Sequence, residues 1–381
     1  MFIFPFVVIG RIITYLKPLR QEYRIFYFFP FYHTGGAEKV HMQIAVATGG
    51  NDCIIYFTKK SADDRFLQEF KNSGCTIKII PGFTDNKFFY FLNLIYRGII
   101  SGYINKQKIK PILFNGQCNF GYKVSPWVNK SIKQIELIHS LNTFSYIRIP
   151  FIPFISQTIM ISKKRIEDHR KLYQRYEIPA SFFERIIYIS NAIPIPAANE
   201  VKLRSNLKVL YVGRGTAEKR VQLVVAVAQQ LHDKNIQFEL LGDVTESIAP
   251  EKNSFIKFYG NVNDEVLINK IYSGSHVCIL TSKTEGFPMV IMEAMAHGCM
   301  VLATPVGDIP YHVANDINGF LFSDVNNEDL IIQEAIEKIL WADQHREKLN
   351  EIALTNFKYA EANFDIEQFN KKYRELLSVK K

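Results

Sequence analysis

Apolar runs and polar segments with helical spacing alternate along the first half of the chain. Arg24–Pro30 (RIFYFFP) has the length and composition of a buried strand, and Gly36–Thr48 follows with helical spacing. The alternation then continues through strands at Cys53–Phe57, Thr76–Ile80 and Ile112–Asn115, with a polar helix at Asp63–Ser73. This pattern predicts a parallel sheet with helices on both faces.

The pattern restarts after Ile193–Asn206 (IPIPAANEVKLRSN), a segment whose prolines and polar residues are typical of a linker. Six further strands with intervening helices predict a second doubly wound unit, with ligands at the carboxyl ends of its strands. The predicted strands are Lys208–Gly213, Gln237–Gly242, Ile256–Tyr259, Val277–Thr281, Val301–Thr304 and Gly319–Phe322. We therefore expect an α/β protein with Rossmann-like domains at residues 1–195 and 207–360, joined by a linker at 196–206. The tail, 361–381, is expected to form an amphipathic helix that packs back on the first domain.

Two apolar segments leave their structure open at this point. The N-terminal 16 residues (MFIFPFVVIGRIITYL) fit a buried strand or a short element lying in a membrane interface, and the pattern favours neither. Phe88–Ile104 fits a core helix better than an interfacial one, although lysines and arginines flank it. No stretch reaches the roughly 18–20 apolar residues of a membrane-spanning helix.

Charge is distributed unevenly along the 381 residues. Residues 1–190 carry 26 basic and 12 acidic side chains, a net charge of +14, whereas residues 191–381 have a net charge of −5. This asymmetry predicts an anionic partner for the first half. The five scattered cysteines have neither zinc-ligand spacing nor a disulfide pattern, which fits a reducing, cytoplasmic compartment, and we expect no metal site.

The most informative segment is Thr281–Gly298 (TSKTEGFPMVIMEAMAHG), where a predicted strand leads through a polar loop into a helix. Gly286 permits close approach of the backbone to a ligand, and Pro288 suits the first helical turn. The N–H groups of Met289 and Val290 would then be available to an anion, assisted by the helix dipole. The segment therefore predicts an anion-binding site.

Two carboxylates flank this predicted anion site. Glu285 and Glu293 are eight residues apart, which corresponds to roughly 12 Å at 1.5 Å per helical residue. The whole segment resembles the Glu-x7-Glu signature of the family 4 retaining glycosyltransferases of GT-B fold, in which two Rossmann-like domains face each other across a cleft. The resemblance implies that Glu285 contacts hydroxyls of the donor sugar and takes part in catalysis, and that Glu293 binds ribose hydroxyls. It also implies that the backbone of Gly286, Phe287, Pro288, Met289 and Val290 meets the sugar and the diphosphate.

A basic loop, Val209–Arg220 (VLYVGRGTAEKR), follows the first strand of the second half. Two cations at this end of a sheet could neutralise the charge that grows on a departing diphosphate. The loop resembles the family's G-R-x4-K element, which implies that Arg214 and Lys219 contact the diphosphate. The family usually has glycine after that lysine, where this chain has Arg220. It also often has G-G-x-x-E where this chain has Gly307-Asp308-Ile309-Pro310-Tyr311.

Three weaker matches complete the resemblance. Tyr259–Val262 (YGNV) resembles the loop that reads the nucleobase, which implies that Val262 lies beside the base. His33–Val40 (HTGGAEKV) resembles the glycine-rich first loop and implies donor contacts for Gly36. Ile138–Ser140 (IHS) resembles the segment with the catalytic histidine, which implies that His139 lies near the reacting sugar carbon; a structural, buried histidine is the alternative.

The resulting hypothesis is a metal-independent retaining hexosyltransferase acting in cell-surface polysaccharide or glycolipid synthesis. It would use a UDP-sugar or GDP-sugar and a saccharide or lipid-linked acceptor, and the absence of a D-x-D motif assigns the role of a metal to Arg214 and Lys219. We expect no nucleic-acid partner, but contact with an anionic membrane on its inner face is a further expectation. The alternatives are an epimerase or phosphorylase of the same fold, or a non-enzymatic polyanion-binding protein.

Overall fold

Two compact units make up the protein in a computed structural model that describes residues 2–33, 35–86, 88–141, 143–197, 206–245, 247–249 and 253–378. The first unit contains residues 1–189 and 368–381, and the second contains residues 190–367. Most of the predicted linker at 196–206 lies outside the described residues. Among the described residues, no helix combines the length and hydrophobicity that crossing a membrane requires.

The first unit is built on a parallel sheet with the strand order β3-β2-β1-β4-β5-β6-β7. Its strands are β1 (Ile25–Phe29), β2 (Cys53–Phe57), β3 (Thr76–Ile79), β4 (Ile112–Gly116), β5 (Lys133–Ile138), β6 (Gln157–Met160) and β7 (Ile186–Tyr188). The strand order reverses between β1 and β4, as in a doubly wound fold. Both of these strands are buried along their whole length, which explains why they read as continuous apolar runs.

Helices cover both faces of this sheet. In chain order they are α1 (Phe4–Leu16), α2 (Gly36–Thr48), α3 (Leu67–Asn72), α4 (Pro81–Thr84), α5 (Tyr90–Asn105), α6 (Asn119–Val124), α7 (Thr143–Ile147), α8 (Lys163–Arg175) and α9 (Ala180–Phe183). The N-terminal segment is therefore a helix, and the strand interpretation is wrong. Its Pro5 occupies the first helical turn, a position where proline is tolerated.

The second unit repeats the architecture with a six-stranded parallel sheet in the order β10-β9-β8-β11-β12-β13. Its strands are β8 (Leu207–Val212), β9 (Ile236–Leu241), β10 (Ile256–Gly260), β11 (Val277–Leu280), β12 (Met300–Ala303) and β13 (Gly319–Leu321). Its helices are α10 (Val221–Gln230), α11 (Glu265–Gly274), α12 (Met289–Ala296), α13 (Glu328–Gln344) and α14 (Arg346–Phe364). The predicted class, two doubly wound α/β units, is confirmed.

The C-terminal tail differs from the single helix predicted over 361–381. Helix α14 ends at Phe364, and the last helix, α15, covers Ile366–Leu376. Between them Asp365 is extended and forms a parallel bridge with Ile193, which interrupts the helix. Beyond the break, Tyr373 is fully buried near Phe114 of β4, with ring centroids 6.4 Å apart.

Candidate active site

The strand order of the second sheet reverses between β8 and β11, and the loops that follow these two strands pack against each other. The N–H of Lys283 donates to the carbonyl of Glu218 at 2.7 Å. The hydroxyl of Thr281 donates to the carbonyls of Lys219 and Arg220 at 3.1 and 2.9 Å. These bonds bring together the basic loop Val209–Arg220 and the segment Thr281–Gly298, at the position where doubly wound sheets bind ligands.

The loop after β9 joins the same group. The N–H of Gly213 donates to Leu241 O at 3.0 Å, and the N–H of Gly215 donates to Asp243 O at 2.6 Å. Gly242 has φ +122°, and a Cβ there would collide with the carbonyl of Gly213. The glycine in the Leu240–Asp243 turn is therefore needed for the close approach of two loops.

Lys219 and Glu285 form an ion pair, with 2.5 Å between Nζ and Oε1. Their side chains are 21% and 9% exposed, so the pair lies at the edge of the protein surface and its carboxylate is largely shielded. Arg214, by contrast, is 74% exposed and lies 4.0 Å from Glu218. The structure thus brings one predicted cation to the predicted catalytic carboxylate and leaves the other in solvent.

Arg220 holds the loop of Lys219 in place. Its backbone is left-handed (φ 50°, ψ 43°), the conformation that glycine adopts most easily. This explains why the family usually has glycine at the position that Arg220 occupies in this chain. Its guanidinium is 2% exposed and donates to the carbonyls of Thr281, Val325 and Ser282 at 2.7, 2.7 and 3.4 Å. A buried arginine with three carbonyl acceptors offsets the strain of its backbone.

Helix α12 starts at Met289, one residue later than predicted, with Pro288 as its extended N-cap rather than in its first turn. Helices leave their first N–H groups without acceptors inside the helix. Ile291 donates to Pro288 O at 3.1 Å, so Met289 and Val290 precede the first of these bonds. The start of this helix, next to Glu285 and Gly286, can therefore bind an anion.

Glu293 lies further along α12 and is held by a buried tyrosine. The hydroxyl of Tyr272 donates to Glu293 Oε2 at 2.9 Å. Burial raises the pKa of Tyr272 well above its ordinary value, with a further contribution from the carboxylate of Glu293. Tyr272 therefore stays a neutral donor that orients the carboxylate.

The segment from Gly307 supports the loop of Glu285. Gly307 has φ +60°, and a Cβ there would collide with the carbonyl oxygens of Glu285 and Gly286. The N–H of Asp308 donates to Gly286 O at 2.7 Å, and the Asp308 side chain is fully buried. Where the family often has G-G-x-x-E, this chain has a glycine and an aspartate that position the loop.

Two of the predicted donor residues face the protein interior to different degrees. Phe287 is 5% exposed and stacks on His312 with ring centroids 4.1 Å apart, so its ring is not available to a ligand. Val262 is half-buried and packs against the core of the second unit. Two residues before Val262, Gly260 has a left-handed backbone (φ +66°), and its carbonyl accepts a hydrogen bond from the N–H of Gly242.

In the first unit, His139 follows β5 and pairs with His41 of α2, with 2.9 Å between the two Nε2 atoms. Burial lowers the pKa of His139 to about 4. Burial, together with the neighbouring His139, lowers the pKa of His41 well below its ordinary range. Both rings are therefore neutral at pH 7. Gly36 is exposed at the first position of α2.

Four residues of these sites were not predicted from the sequence: His41, Arg220, Tyr272 and Gly307. Only Arg220 and Gly307 carried a signal, since each lies at a departure from the family pattern. Among the described residues, no group of three or more His, Cys, Asp or Glu side chains could hold a metal ion.

Comparison with known proteins finds a matching family model and several relatives. Residues 206–340 match the family model described as glycosyl transferases group 1. The chain is 24% identical over 276 residues to an uncharacterised 41.2 kDa protein in the cps region of Klebsiella pneumoniae, covering 71% of this chain and 73% of that protein. It is 30% identical over 160 residues to the lipopolysaccharide 1,2-N-acetylglucosaminetransferase of Salmonella typhimurium, covering 38% of this chain and 42% of that enzyme.

The fold is similar to that of Anabaena HepE, solved in complex with UDP and glucose. The TM-score is 0.70 at 18% identity, and the match covers 93% of this chain and 99% of HepE. The fold is that of GT-B glycosyltransferases, and the matched segment supports a glycosyltransferase domain in the second unit. The matched segment begins immediately before β8 and contains the loops of Lys219 and Glu285 and helix α12 with Glu293.

Proposed function

We propose that this protein is a family 4 type retaining hexosyltransferase acting in cell-surface polysaccharide or glycolipid synthesis. In this proposal it moves a hexose from a UDP-sugar or GDP-sugar to a saccharide or lipid-linked saccharide. The observation that carries the proposal is the Lys219–Glu285 ion pair beside the start of α12, at the strand-order reversal of the second sheet. One relative is named as a lipopolysaccharide glycosyltransferase, another is named for its place in a cps region, and HepE was solved with UDP and glucose, which supports this substrate class.

The donor would lie along the first turn of α12. Its diphosphate would accept hydrogen bonds from the N–H groups of Met289 and Val290 and would take Lys219 as its counter-ion. Glu285 would then exchange part of its contact with Lys219 for hydroxyls of the sugar. Glu293, oriented by Tyr272, would accept hydrogen bonds from the ribose hydroxyls. Arg214, which is exposed, would be free to close on the diphosphate from the solvent side.

The reaction breaks the bond between the anomeric carbon and the diphosphate and forms a bond from the same carbon to the acceptor oxygen. The acceptor hydroxyl gives its proton to the departing diphosphate, so no side chain has to act as a nucleophile. Lys219, Arg214 and the helix N–H groups stabilise the charge that develops on the diphosphate. Holding donor and acceptor in place supplies the remaining rate enhancement.

His139 would act as a neutral hydrogen-bond donor to a substrate hydroxyl. His41 Nδ1 is buried and has no hydrogen-bond partner among the described residues. A proton on that nitrogen would leave a buried donor unpaired, so we infer that His41 donates from Nε2 to Nε2 of His139. His139 then carries its proton on Nδ1, where it can donate to substrate.

We infer an acceptor subsite in a polar cavity of about 140 Å³ in the first unit. Asn119 lines it, and the Oδ1 atom of this residue is buried without a hydrogen-bond partner among the described residues. Lys59 and Lys123 also line the cavity, and Asp85 is the acidic residue in its lining. Amide groups and two lysines favour a saccharide that carries an anionic group, such as a phosphate or a carboxylate.

A donor screen tests the proposal. UDP-hexoses and GDP-hexoses are added to the purified protein, and thermal unfolding identifies the donor that stabilises it. Glu293→Ala and Lys219→Ala are each expected to weaken that stabilisation by at least tenfold in donor concentration. Proton NMR of the glycoside product should show the anomeric configuration of the donor, and activity should persist in EDTA. An inverted product would contradict the retaining mechanism, and donor turnover without any acceptor would favour an epimerase.

A kinetic experiment tests the acceptor subsite separately. Lys59→Gln and Lys123→Gln should each raise KM for an anionic acceptor about tenfold and leave KM for the donor unchanged. Lys130→Gln, which replaces an exposed lysine outside the cavity lining, is the matched control. Equal effects of all three changes would contradict the subsite.

A further inference from the structure

The outward face of α1 is apolar apart from the hydroxyl group of Tyr15. Its exposed side chains recur at helical spacing and include Phe4 (59% exposed), Ile12 (53%) and Leu16 (78%). The opposite face, with Val7, Gly10 and Thr14, is buried. The remaining exposed residues of the outward face are Pro5, Ile9 and Tyr15. A helix of a protein that is surrounded by water normally shows the reverse arrangement, so this face needs a covering partner.

Helices α1 and α5 run in the same direction and are packed backbone to backbone. A Cβ at Gly98 would collide with the carbonyl of Val7, and a Cβ at Gly102 would meet Thr14 at 2.9 Å. Because contacts advance along both helices together, their N-terminal ends lie side by side. The hydrogen bond from the Tyr103 hydroxyl to Lys17 O, at 2.7 Å, joins their C-terminal ends in the same way.

A second group of exposed aromatic residues lies at the start of α5, beside the start of α1. Phe88 is 94% exposed, and Phe89, Tyr90 and Phe91 are between 45% and 53% exposed. Phe2, which precedes α1, is 95% exposed. The N-terminal ends of both helices therefore carry exposed aromatic side chains.

The C-terminal ends of the two helices carry positive charge. The ammonium group of Lys106 lies 3.1 Å from the centroid of the Tyr15 ring, at the edge of the apolar face. The exposed cations of this end are Lys17, Arg20, Lys106, Lys108 and Lys110, and Glu22 is the exposed acid beside them. The apolar face is thus bordered by a net positive charge.

We propose that the outward face of α1 docks on an anionic lipid bilayer, with Phe4, Ile12 and Leu16 in the acyl region and the bordering cations on lipid headgroups. The proposal goes beyond the transfer reaction and stands or falls independently of it. The combination of an apolar helix face with adjacent lysines and arginines is that of interfacial helices. A second copy of the chain fits less well, because a symmetric contact would bring the same cations together. The aromatic group at Phe88–Phe91 provides a second point of contact.

Vesicle flotation tests the proposal with the full chain. Wild type should float with vesicles that contain 30% anionic phospholipid and should bind purely zwitterionic vesicles much more weakly. Ile12→Gln combined with Leu16→Gln should reduce binding at least tenfold. Lys17→Gln combined with Arg20→Gln should reduce it about twenty-five-fold, or roughly fivefold per cation, and added salt should mimic this loss. Val266→Gln, which replaces a residue of the second unit that is 78% exposed, is the matched control.

Tryptophan quenching gives a readout that does not depend on the amount bound. Trp127 lies beside α1, with its ring 6.5 Å from that of Phe4, and the chain has two tryptophans. In a Trp341→Phe background, brominated phospholipids should quench Trp127, and the Ile12/Leu16 double change should abolish the quenching. Equal flotation of wild type and the double variant would overturn the proposal. So would a dimer-to-monomer change in the double variant without any loss of vesicle binding.

Discussion

Arg220 and Thr281, 61 positions apart, are bonded to each other in both directions. The guanidinium of Arg220 donates to Thr281 O at 2.7 Å, and the hydroxyl of Thr281 donates to Arg220 O at 2.9 Å. This reciprocal contact fixes the loop of Lys219 against the strand end that leads to Glu285. The ion pair of the candidate active site therefore depends on a residue that need not touch a ligand.

Two replacements of Arg220 should separate the stabilising effect of its side-chain hydrogen bonds from the cost of its left-handed backbone. Arg220→Ala loses the bonds to three carbonyls and is expected to lower the free energy of unfolding by about 2–4 kcal/mol. Arg220→Gly loses the same bonds but relieves the left-handed backbone, so it should be about 1 kcal/mol more stable than the alanine variant. Urea unfolding measures both, and donor affinity should fall in both because Lys219 is adjacent.

Arg346→Ala is the control for removing an arginine from a partly exposed ion pair, here with Asp343. It should change stability by less than about 1 kcal/mol. If Arg220→Ala were equally mild, or if it left donor affinity unchanged, Arg220 would not hold the loop.

Gly307 should be intolerant of any side chain. Gly260 and Gly307 are both left-handed, with φ +66° and φ +60°, but a Cβ at Gly260 would meet nothing within 4 Å. Gly260→Ala should therefore show the cost of backbone strain alone, about 1–2 kcal/mol. Gly307→Ala adds the collision with the carbonyls of Glu285 and Gly286 and should cost about 3–5 kcal/mol. Chemical denaturation of both variants checks this, and equal costs would contradict the packing described for this loop.

The hydrophobic pattern of the sequence predicts those parts of the fold that are determined by residues close together in the chain. The start of α12 was predicted to within one residue, because a strand, a polar loop and an N-terminal proline are consecutive in the chain. Strand alternation predicted all six strands of the second sheet and the first four of the seven strands of the first sheet. An apolar run such as residues 1–16, however, cannot be assigned to strand or helix by periodicity alone, and its packing on Gly98 and Gly102 decided the outcome.

The candidate site was predictable to the extent that its residues are neighbours in sequence. The pairing of His41 with His139 spans 98 positions, and neither residue's surroundings identify the other as its partner. The break at Asp365 likewise depends on Ile193, which is remote in the chain. The contact of Lys219 with Glu285 follows from the adjacency of β8 and β11, which strand prediction does not supply.

Lys219 and Glu285 should show non-additive effects, since they contact each other before any donor binds. Lys219→Ala should lower kcat/KM by about 10²–10³, through lost stabilisation of the diphosphate. Glu285→Ala should lower it by a similar factor. Each single change also leaves its partner without a counter-ion. The loss of kcat/KM in the double variant should therefore be smaller than the product of the two single losses, which corresponds to a coupling energy of about 1–3 kcal/mol.

Steady-state kinetics of the four proteins measures this coupling. Lys219→Ala combined with Glu293→Ala provides the comparison, since Glu293 has Tyr272 as its partner and lies eight residues beyond Glu285. That pair should be closer to additive. Full additivity for Lys219 and Glu285 would contradict a functional ion pair.

The buried histidine pair should make stability fall as pH decreases. The pKa of His139 is about 4 in the folded protein, against an ordinary value near 6.5 for the unfolded chain. Below pH 6.5 the unfolded chain therefore binds protons that the folded protein does not, and folding stability is lost progressively until pH falls to about 4. His139 alone would contribute a loss of up to about 3 kcal/mol at pH 4.

His139→Asn should flatten this dependence, because asparagine does not titrate and can still accept the hydrogen bond inferred from His41. Thermal unfolding between pH 7.5 and pH 4.5 measures the effect. His169, whose pKa burial also lowers to about 4, provides an internal reference in the same unit, since His169→Asn should remove a comparable part of the slope. His232→Asn, at an exposed position in the second unit, should leave the slope unchanged. A slope unaffected by His139→Asn would mean that His139 is accessible to protons in the folded protein, and its proposed role as a neutral donor would then fail.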